Sequence, residues 1–506
     1  GNQAASRWGS PEPIGSRALI AGRGLPLAEP QRQVDGLYML GERAGGQEQV
    51  AGAGDDHLIS GYGSDTFIFR LEDLTSADFI DGGDSYWSSD RLILTTAGHF
   101  SAANWNSDNV MAELQLADGA NIVELTSDMP DTISDGAGDD RIDASNAWSK
   151  TIYLSEGDDT FIGGAGYDHI LIDGADFNER DRIIGNGGND VLTFRSAVQL
   201  SEDDFAQVSN ISEIEFLGSN SRILLGDTLI ASTGGNHIEL QFQHGAQADA
   251  SAVSASNAVT FLTISGKDRL IGGAGADNFN FYEGPGLFYR NSFDEGDVVV
   301  GGDGASVDTL ILNYGDIYDA ALLAGVSGIE RVELHAYYSF IEWSYEEFTS
   351  PDYSLEITDA LVSTAHGGRL EIVSDSGEDV LDASALSAPY GVDIDGGLGD
   401  DHLLGGAGQD RLEGNAGADM LTGGAGSDTF MWADRWHGWD SVTDFTAGED
   451  RLAFASTGFA LADGRLDTLV RGDATGIADL GDADLFVYEG PVMDGDDLRA
   501  ILADHS

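Results

Sequence analysis

The sequence predicts an all-β protein, a parallel β-solenoid that forms an elongated rod with non-regular β insertions. Three observations predict it: a nine-residue period, short strands rich in Ile, Leu, Val and Phe between Gly/Asp turns, and almost no helical periodicity. A solenoid stacks short coils and buries a narrow core continuously from one coil to the next. Its end coils leave unpaired strand edges, which invite pairing with another chain.

The nine-residue period is clearest from Gly396 to Met431, which reads GGLGDDHLL, GGAGQDRLE, GNAGADMLT and GGAGSDTFM. Each block has Gly at the fourth place, Asp at the sixth and an apolar residue at the eighth. Glycine allows a tight turn whose carbonyls point inward, and the Asp brings a carboxylate to that turn. The eighth place is the inward-facing middle of a three-residue strand. The pattern therefore predicts oxygen-rich turns that alternate with short strands.

These blocks resemble the RTX nonapeptide repeat, GGxGxDxUx, a calcium-binding parallel β-helix signature. The resemblance implies a β-roll in which two nonapeptides form one coil and Ca²⁺ lies between turns about eighteen residues apart. It implies that Asp401 pairs with Asp419 and Asp410 with Asp428. Turn carbonyls would complete an oxygen shell of the kind that Ca²⁺ takes. The glycines at or beside those carbonyls are Gly397, Gly399, Gly406, Gly408, Gly417, Gly424 and Gly426.

Further nonapeptides extend the same candidate metal sites along the chain. The first, AGAGDDHLI and SGYGSDTFI, occupy residues 51–68, so we expect that the repeats are not a C-terminal appendage to an N-terminal enzyme. The resemblance implies that Ca²⁺ binds in multiple copies. The candidate ligands outside the main block are Asp56, Asp65, Asp140, Asp159, Asp168, Asp190, Asp268, Asp277 and Asp379.

A longer internal repeat divides the chain into three modules. Each module opens with a glycine-rich turn that runs into an Asp-led strand, at 82–94, 185–194 and 301–312. The predicted domains are an extended arm (1–50), first repeats (51–80), modules at 81–180, 181–300 and 301–431, and a C-terminal cap with a possible secretion signal (432–506). Within the modules, we predict that segments 195–260 and 313–373 form either coils without calcium or small β-sandwich-like insertions.

Two segments outside the repeats have two interpretations each. Residues 1–35 carry four arginines on a very acidic chain, so they either dock on the acidic surface of a second copy or form a disordered leader. The aromatic segment 335–348 either binds sugar or packs at a module boundary. The segment 444–454 resembles the capping segment that follows many RTX β-rolls.

The charge restricts the possible partners. With 88 acidic and 24 basic residues, the formal net charge is −64, which a compact body tolerates only with counterions. This excess argues against nucleic acid and anionic membranes as partners. A halophile-like surface is the alternative explanation, supported by the presence of only two lysines, Lys150 and Lys267. Cysteine is absent, and no apolar run approaches the roughly 18 residues of a membrane span.

No catalytic motif is evident, and we predict that the protein is not an enzyme. The sequence contains no HExxH, GxSxG or GxxxxGK[ST] motif. The histidines His57, His169 and His402 stand at the variable seventh place of nonapeptides, where exposure is expected rather than metal ligation.

The resemblance to RTX proteins implies an extracellular, secreted or cell-surface protein, and the type I export route that RTX proteins usually take is compatible with the sequence. We expect a calcium-binding structural protein that folds on extracellular Ca²⁺ and self-assembles from identical copies into a surface layer, filament or matrix. One alternative is an adhesin that binds a cell-surface polysaccharide. Another is a β-helical polysaccharide epimerase or lyase.

Overall fold

The structure is a computed structural model that describes residues 46–434 and 440–458, except 62, 84–88, 107–110, 283–291, 303, 314–316 and 336–351. Four short strands outside these ranges are described by their backbone alone: Leu19–Ala21, Tyr38–Leu40, Leu469–Gly472 and Leu485–Tyr488. The rest of the predicted arm, nearly all of the aromatic segment, and the C-terminal tail lie outside the described residues. No helix in the described part has the length and apolar character needed to cross a membrane.

The described residues form a parallel β-solenoid of about 16 turns with few helices, as in a β-roll. Its residues divide into two units, Gly1–Val198 with Glu202–Glu215, and Gln199–Ser201 with Phe216–Ser506. In each unit a coil contributes one strand to each of two sides, and the strands that pair across coils are parallel. The predicted fold class is therefore confirmed.

In the first unit, one side of the coils forms a continuous parallel sheet. Its strands are Glu48–Val50, Thr66–Phe69, Arg91–Leu94, Glu113–Gln115, Thr132–Ser134, Thr151–Leu154, His169–Ile172 and Val191–Phe194. The other side begins with Leu19–Ala21, Tyr38–Leu40, His57–Ile59 and Phe79–Asp81. It continues in a second sheet with His99–Phe100, Ile122–Thr126, Arg141–Asn146, Thr160–Ile162, Arg182–Ile184 and Val208–Ser209. A further strand is Glu213–Phe216.

The second unit repeats this plan. One side contains His237–Phe242, Ala258–Thr263, Asn278–Phe281, Thr309–Asn313, Arg331–His335, Arg369–Ser374, Gly391–Asp395, Arg411–Glu413, Thr429–Asp434 and Arg451–Gly458. The other side contains Gln199–Leu200, Arg222–Leu224, Gln247–Asp249, Arg269–Ile271, Val298–Val300 and Val326–Ser327. It continues with Ile317–Tyr318, Ser354–Glu356, Val380–Asp382, His402–Leu404, Met420–Thr422 and Ser441–Val442.

Helical segments in the described residues are single turns of three or four residues. The α-helical turns are Asp227–Ile230 and Asp359–Val362. The 3₁₀ turns are Leu71–Asp73, Glu202–Phe205, Leu322–Gly325 and His366–Gly368.

The core is the stack of inward-facing strand residues. Successive side chains of a strand point to opposite faces, so only the middle residue of a three-residue strand enters the coil. The eighth-place residues Leu403, Leu412 and Leu421 are accordingly fully buried. Leu403 lies beside Leu421, eighteen residues further on, as expected for two nonapeptides per coil.

The segments without nonapeptides also form coils where they are described. Within 195–260, Arg222–Leu224 pairs in parallel with Gln247–Asp249. In the later segment, Ser354–Glu356 pairs with Val380–Asp382 in the same way. Of the two predicted alternatives, the described residues thus form coils rather than β-sandwich insertions. The predicted capping segment also contributes a strand, because Arg451–Gly458 pairs in parallel with Thr429–Asp434.

Candidate metal sites between the coils

The sixth-place aspartates bind one another's backbone across adjacent coils. The N–H of Asp401 donates to Oδ1 of Asp419 at 2.9 Å, and the N–H of Asp410 donates to Oδ1 of Asp428 at 3.0 Å. These are the two pairs that the resemblance to RTX repeats implied, and the structure brings each pair together. We call a succession of such bonds an aspartate ladder.

Every predicted aspartate lies in a ladder, and each unit has ladders on both sides of its coils. In the first unit the ladders run Asp56–Asp78, Gln47–Asp65–Asp90, Asn121–Asp140–Asp159–Asp181 and Lys150–Asp168–Asp190. In the second unit they run Ala246–Asp268–Asp297, Val259–Asp277–Asp308–Glu330, Tyr353–Asp379–Asp401–Asp419–Asp440 and Val392–Asp410–Asp428–Asp450.

The sequence analysis did not name several ladder members as metal ligands, because the segments before them depart from the nonapeptide pattern. The missed aspartates are Asp78, Asp90, Asp181, Asp297, Asp308, Asp440 and Asp450. Each stands directly before a strand, as Asp181 does before Arg182–Ile184. An Asp at the start of an alternating apolar strand was therefore the signal that could have identified them.

The second carboxylate oxygen divides the predicted ligands into two groups. In one group Oδ2 is buried and has no hydrogen-bond partner; its members include Asp65, Asp140, Asp159, Asp190, Asp401 and Asp428. In the other group Oδ2 accepts a hydrogen bond from the same repeat. Gly164, Gly273 and Gly406 donate their N–H to Asp168, Asp277 and Asp410, and the hydroxyls of Thr263 and Ser374 donate to Asp268 and Asp379.

The φ angle of the residue at the second place of the repeat helps to decide whether Oδ2 of the sixth-place aspartate accepts a hydrogen bond or has no partner. Gly397 has φ +88°, and Asn186 has φ 70° at the equivalent place; the aspartates of their repeats, Asp401 and Asp190, have the unpartnered Oδ2. Asn415, which replaces a second-place glycine, has φ 63°, as expected for a residue that tolerates left-handed angles. Gly406 does not have positive φ, and its N–H bonds to Asp410 at 2.7 Å.

The predicted turn glycines lie beside the ladders. The carbonyls of Gly397 and Gly406 each accept a backbone N–H from the next coil at 2.9 Å. The coils approach so closely that a Cβ on Gly417 would lie 1.7 Å from the carbonyl oxygen of Gly399. Equivalent contacts surround Gly408, Gly424 and Gly426.

The contacts of Asn121 show which atoms surround the second carboxylate oxygen of a ladder aspartate. It occupies a ladder position, and its Oδ1 accepts the N–H of Gly98 at 3.2 Å, as a ladder aspartate would. Its Nδ2 replaces the second oxygen and donates to Ala117 O (2.9 Å), Gly119 O (2.8 Å), Asp140 Oδ1 (2.9 Å) and Asp135 O (3.3 Å). At ladder positions that carry Asp rather than Asn, the second carboxylate oxygen takes the place of Nδ2 and faces these carbonyl and carboxylate oxygens. Such a position fits a hard divalent cation.

One site contains a third carboxylate that the sequence analysis missed. The carboxylate oxygens of Asp135, Asp140 and Asp159 lie within 4.8 Å of one another, and all three residues are buried. Asp135 stands at the first place of the nonapeptide DGAGDDRID, where glycine is usual, and that substitution was the available signal. Ser155 donates to the Asp135 carboxylate from its hydroxyl (2.9 Å) and from its N–H (3.3 Å).

Burial raises the pKa of the carboxyls in these sites. The pKa of Asp401 and of Asp135 rises to about 8, because desolvation disfavours the charged form and neighbouring carboxylates add repulsion. The pKa of Asp159 and of Asp190 rises to about 7 for the same reasons. A bound cation would reverse both effects.

The three repeat histidines are half-buried, less exposed than predicted. They lie at the starts of strands, as His169 does in His169–Ile172. Its Nε2 lies 2.8 Å from Thr193 Oγ1, and burial lowers its pKa.

Together, the coils and ladders define a β-solenoid repeat protein with candidate cation sites between its coils. The family model for the RTX calcium-binding nonapeptide repeat (4 copies) matches residues 50–69, 126–147, 151–170, 178–194, 265–284 and 395–430. The chain therefore contains RTX calcium-binding nonapeptide repeats, and these repeats imply Ca²⁺ binding. Comparisons with curated proteins and with solved structures give no significant match.

Proposed function

We propose that this protein is a secreted calcium-binding structural protein that folds on extracellular Ca²⁺ and self-assembles into a surface layer, filament or matrix. The observation that carries the proposal is the recurrence, coil after coil, of a buried Asp Oδ2 with no hydrogen-bond partner, as at Asp140, Asp401 and Asp428. A single unsatisfied carboxylate oxygen is a local irregularity of the fold. Unsatisfied oxygens that recur at the same place in successive coils are instead a set of positions for ligands of a cation.

The proposed sites follow from the arrangement at Asn121. By equivalence, a cation beside Asp401 would be held by its Oδ2, by the carbonyls of Gly397 and Gly399, and by the carboxylate of Asp419. When bound, Ca²⁺ supplies positive charge and accepts six to eight oxygen ligands. The chain contributes oxygens that are already fixed by the ladder bonds and by the close approach of adjacent coils.

Calcium dependence supports an extracellular setting. Without cations, a chain of net charge −64 with buried carboxylates opposes its own folding. Sites of the roughly 10⁻⁴–10⁻³ M class fill at extracellular calcium levels, and the binding free energy then contributes to folding. RTX repeats are characteristic of secreted proteins, and the absence of cysteine agrees with stabilisation by metal rather than by disulfides.

Self-assembly is supported by the solenoid and by the charge distribution. Parallel coils stack through unpaired strand edges, so an end coil offers an edge to a second copy. The N-terminal arm adds Arg7, Arg17, Arg23 and Arg32 to an otherwise acidic chain, which suits it to the acidic surface of another copy. We therefore propose a homo-oligomer or polymer.

A calcium titration of the EDTA-stripped full chain tests the proposal, with circular dichroism and light scattering recorded together. We expect the β-signal and the particle size to rise together on adding Ca²⁺, and far less on adding Mg²⁺ at the same concentration. A β-signal that rises while the particle stays monomeric would contradict self-assembly, and binding to an acidic polysaccharide would then be measured. A titration with no response in either signal would contradict the calcium-dependent fold.

A further inference from the structure

We infer that Asn121 and Lys150 fill two inter-coil positions with their own nitrogen atoms, so that the coils 122–134 and 141–154 hold together without calcium. This inference rests on the proposed function, because it distinguishes these two coils from those that need calcium. The two residues join the same pair of coils, one on each side.

On the first side, the amide of Asn121 takes the place of a cation. Its Nδ2 lies 2.8–2.9 Å from the carbonyl oxygens of Ala117 and Gly119 and from Oδ1 of Asp140. The oxygens that would bind a metal are thus already hydrogen-bonded to a neutral donor. Because an amide N–H₂ does not ionise and is not a calcium ligand, this position excludes Ca²⁺.

On the second side, the ammonium of Lys150 supplies the positive charge. Lys150 occupies a ladder position, and its backbone N–H donates to Oδ1 of Asp168 at 2.7 Å. Its side chain is only 1% exposed, and Nζ reaches back one coil to Asp131 Oδ1 (2.8 Å) and Met129 O (3.0 Å). A buried ammonium is tolerated when it is paired and hydrogen-bonded, as this one is.

The next site along the chain differs. Between the coil 141–154 and the coil that follows lie the three carboxylates of Asp135, Asp140 and Asp159, without a nitrogen in the place that Asn121 Nδ2 fills. The calcium-independent pair therefore ends at a position that needs a cation. In a solenoid, a folded coil templates its neighbour. The pair thus offers a starting point from which calcium-dependent coils add.

Hydrogen exchange of the full chain in EDTA tests this order directly. We expect amides in Thr132–Ser134 and Thr151–Leu154 to stay protected, and amides in Arg411–Glu413 and Met420–Thr422 to exchange at least tenfold faster. Calcium should protect both sets. Equal exchange of the two sets in EDTA would overturn the inference.

Substitutions separate this inference from the proposed function. Asn121→Asp should add one bound Ca²⁺ per chain and make the protection of 122–154 calcium-dependent. Asn146→Asp is the control, because Asn146 is exposed at the end of the strand Arg141–Asn146 and the substitution adds the same charge to the same pair of coils. Lys150→Met should abolish protection in EDTA.

The possible outcomes distinguish failure of the proposed function from failure of this inference alone. If the unchanged chain binds no Ca²⁺, the proposed function fails. If it binds Ca²⁺ but Asn121→Asp gains no ion over the control, the inference fails alone. The ion count is measured in saturating calcium, so it remains informative if Asn121→Asp unfolds in EDTA.

Discussion

The backbone N–H of Asp401 donates to Oδ1 of Asp419 at 2.9 Å, while Oδ2 of Asp401 lies buried with no hydrogen-bond partner. The carboxylate of Asp401 also accepts the N–H of Asp379 at its Oδ1 (2.9 Å), so the same carboxylate stabilises the stacking of coils through Oδ1 and opposes it through its uncompensated Oδ2. This opposition makes the coil dependent on a cation, because a cation removes the penalty and leaves the ladder bond intact.

Asp401→Asn should make the main block less dependent on calcium. The amide would place a donor where Oδ2 now faces oxygens, as Asn121 does. We expect the metal-free protein to gain about 1–3 kcal/mol in free energy of unfolding, the penalty of one unsatisfied buried polar group, and to bind one Ca²⁺ fewer. Urea denaturation in EDTA and calcium dialysis measure the two effects. Asp400→Asn, at the exposed fifth place, is the control, and an unchanged calcium count in Asp401→Asn would refute the ligand assignment.

Asp135→Asn should weaken the site that contains three carboxylates. The substitution removes one carboxylate from a buried group of three, in which burial and the repulsion of Asp159 raise the pKa of Asp135. The calcium concentration needed to protect Thr160–Ile162 from hydrogen exchange should increase about tenfold, the effect of roughly 1.4 kcal/mol in binding. Asp143→Asn, on the outward face beside Arg141, serves as the control. Equal calcium midpoints in the two variants would show that Asp135 is not a ligand.

The metal-free and calcium-loaded proteins should respond to pH in opposite directions. The ordinary carboxyl pKa of 3.8 rises to about 8 in folded Asp401 and to about 7 in Asp190, so the metal-free folded chain holds protons that the unfolded chain has lost. Its stability is therefore highest near about pH 4 and falls as pH rises to about 8. Calcium competes with these protons, so the calcium-loaded protein gains stability over the same range.

Thermal unfolding checks this reversal when it is followed by circular dichroism at about pH 5 and about pH 8, in EDTA and in calcium. We expect the metal-free protein to melt at the higher temperature at the lower pH. A metal-free protein that is more stable at about pH 8 would show that the buried carboxylates are compensated by groups other than calcium.

Gly417→Ala should disrupt the stacking of coils. Its Cβ would lie 1.7 Å from the carbonyl oxygen of Gly399, which is backbone and has little freedom to move. Overpacking of this kind costs about 1–3 kcal/mol, and the calcium midpoint for folding should rise accordingly. Gly235→Ala is the matched control, since nothing lies within 4 Å of the Cβ it would introduce. Similar midpoints for the two variants would contradict the close packing of coils.

The sequence was sufficient to predict the coil, because its determinants are local. Glycine at the fourth place, Asp at the sixth and an apolar residue at the eighth each act within nine residues. The burial of Leu403, Leu412 and Leu421 therefore followed from the repeat pattern, and the pairing of Asp401 with Asp419 followed from the resemblance to RTX repeats. The coils of 195–260 were harder to predict, because their turns lack the glycines that mark the register.

The place of an aspartate in the repeat could not predict whether its Oδ2 has a hydrogen-bond partner. Asp401 and Asp410 stand at the same place in adjacent blocks, yet Oδ2 of Asp410 accepts the N–H of Gly406 and Oδ2 of Asp401 has no partner. The difference arises from the backbone conformation of the second place, which Gly adopts in either form at little cost. Asn121 and Lys150 were missed because their roles depend on the neighbouring coil rather than on their own repeat.

Anomalous diffraction from calcium-loaded crystals tests the central claim most directly, because it locates the ions. The account predicts anomalous peaks between adjacent coils, beside Oδ2 of Asp401, of Asp428 and of the cluster of Asp135, Asp140 and Asp159, with no peak at Asn121. Peaks confined to outward-facing carboxylates, with the positions between the coils empty, would contradict it.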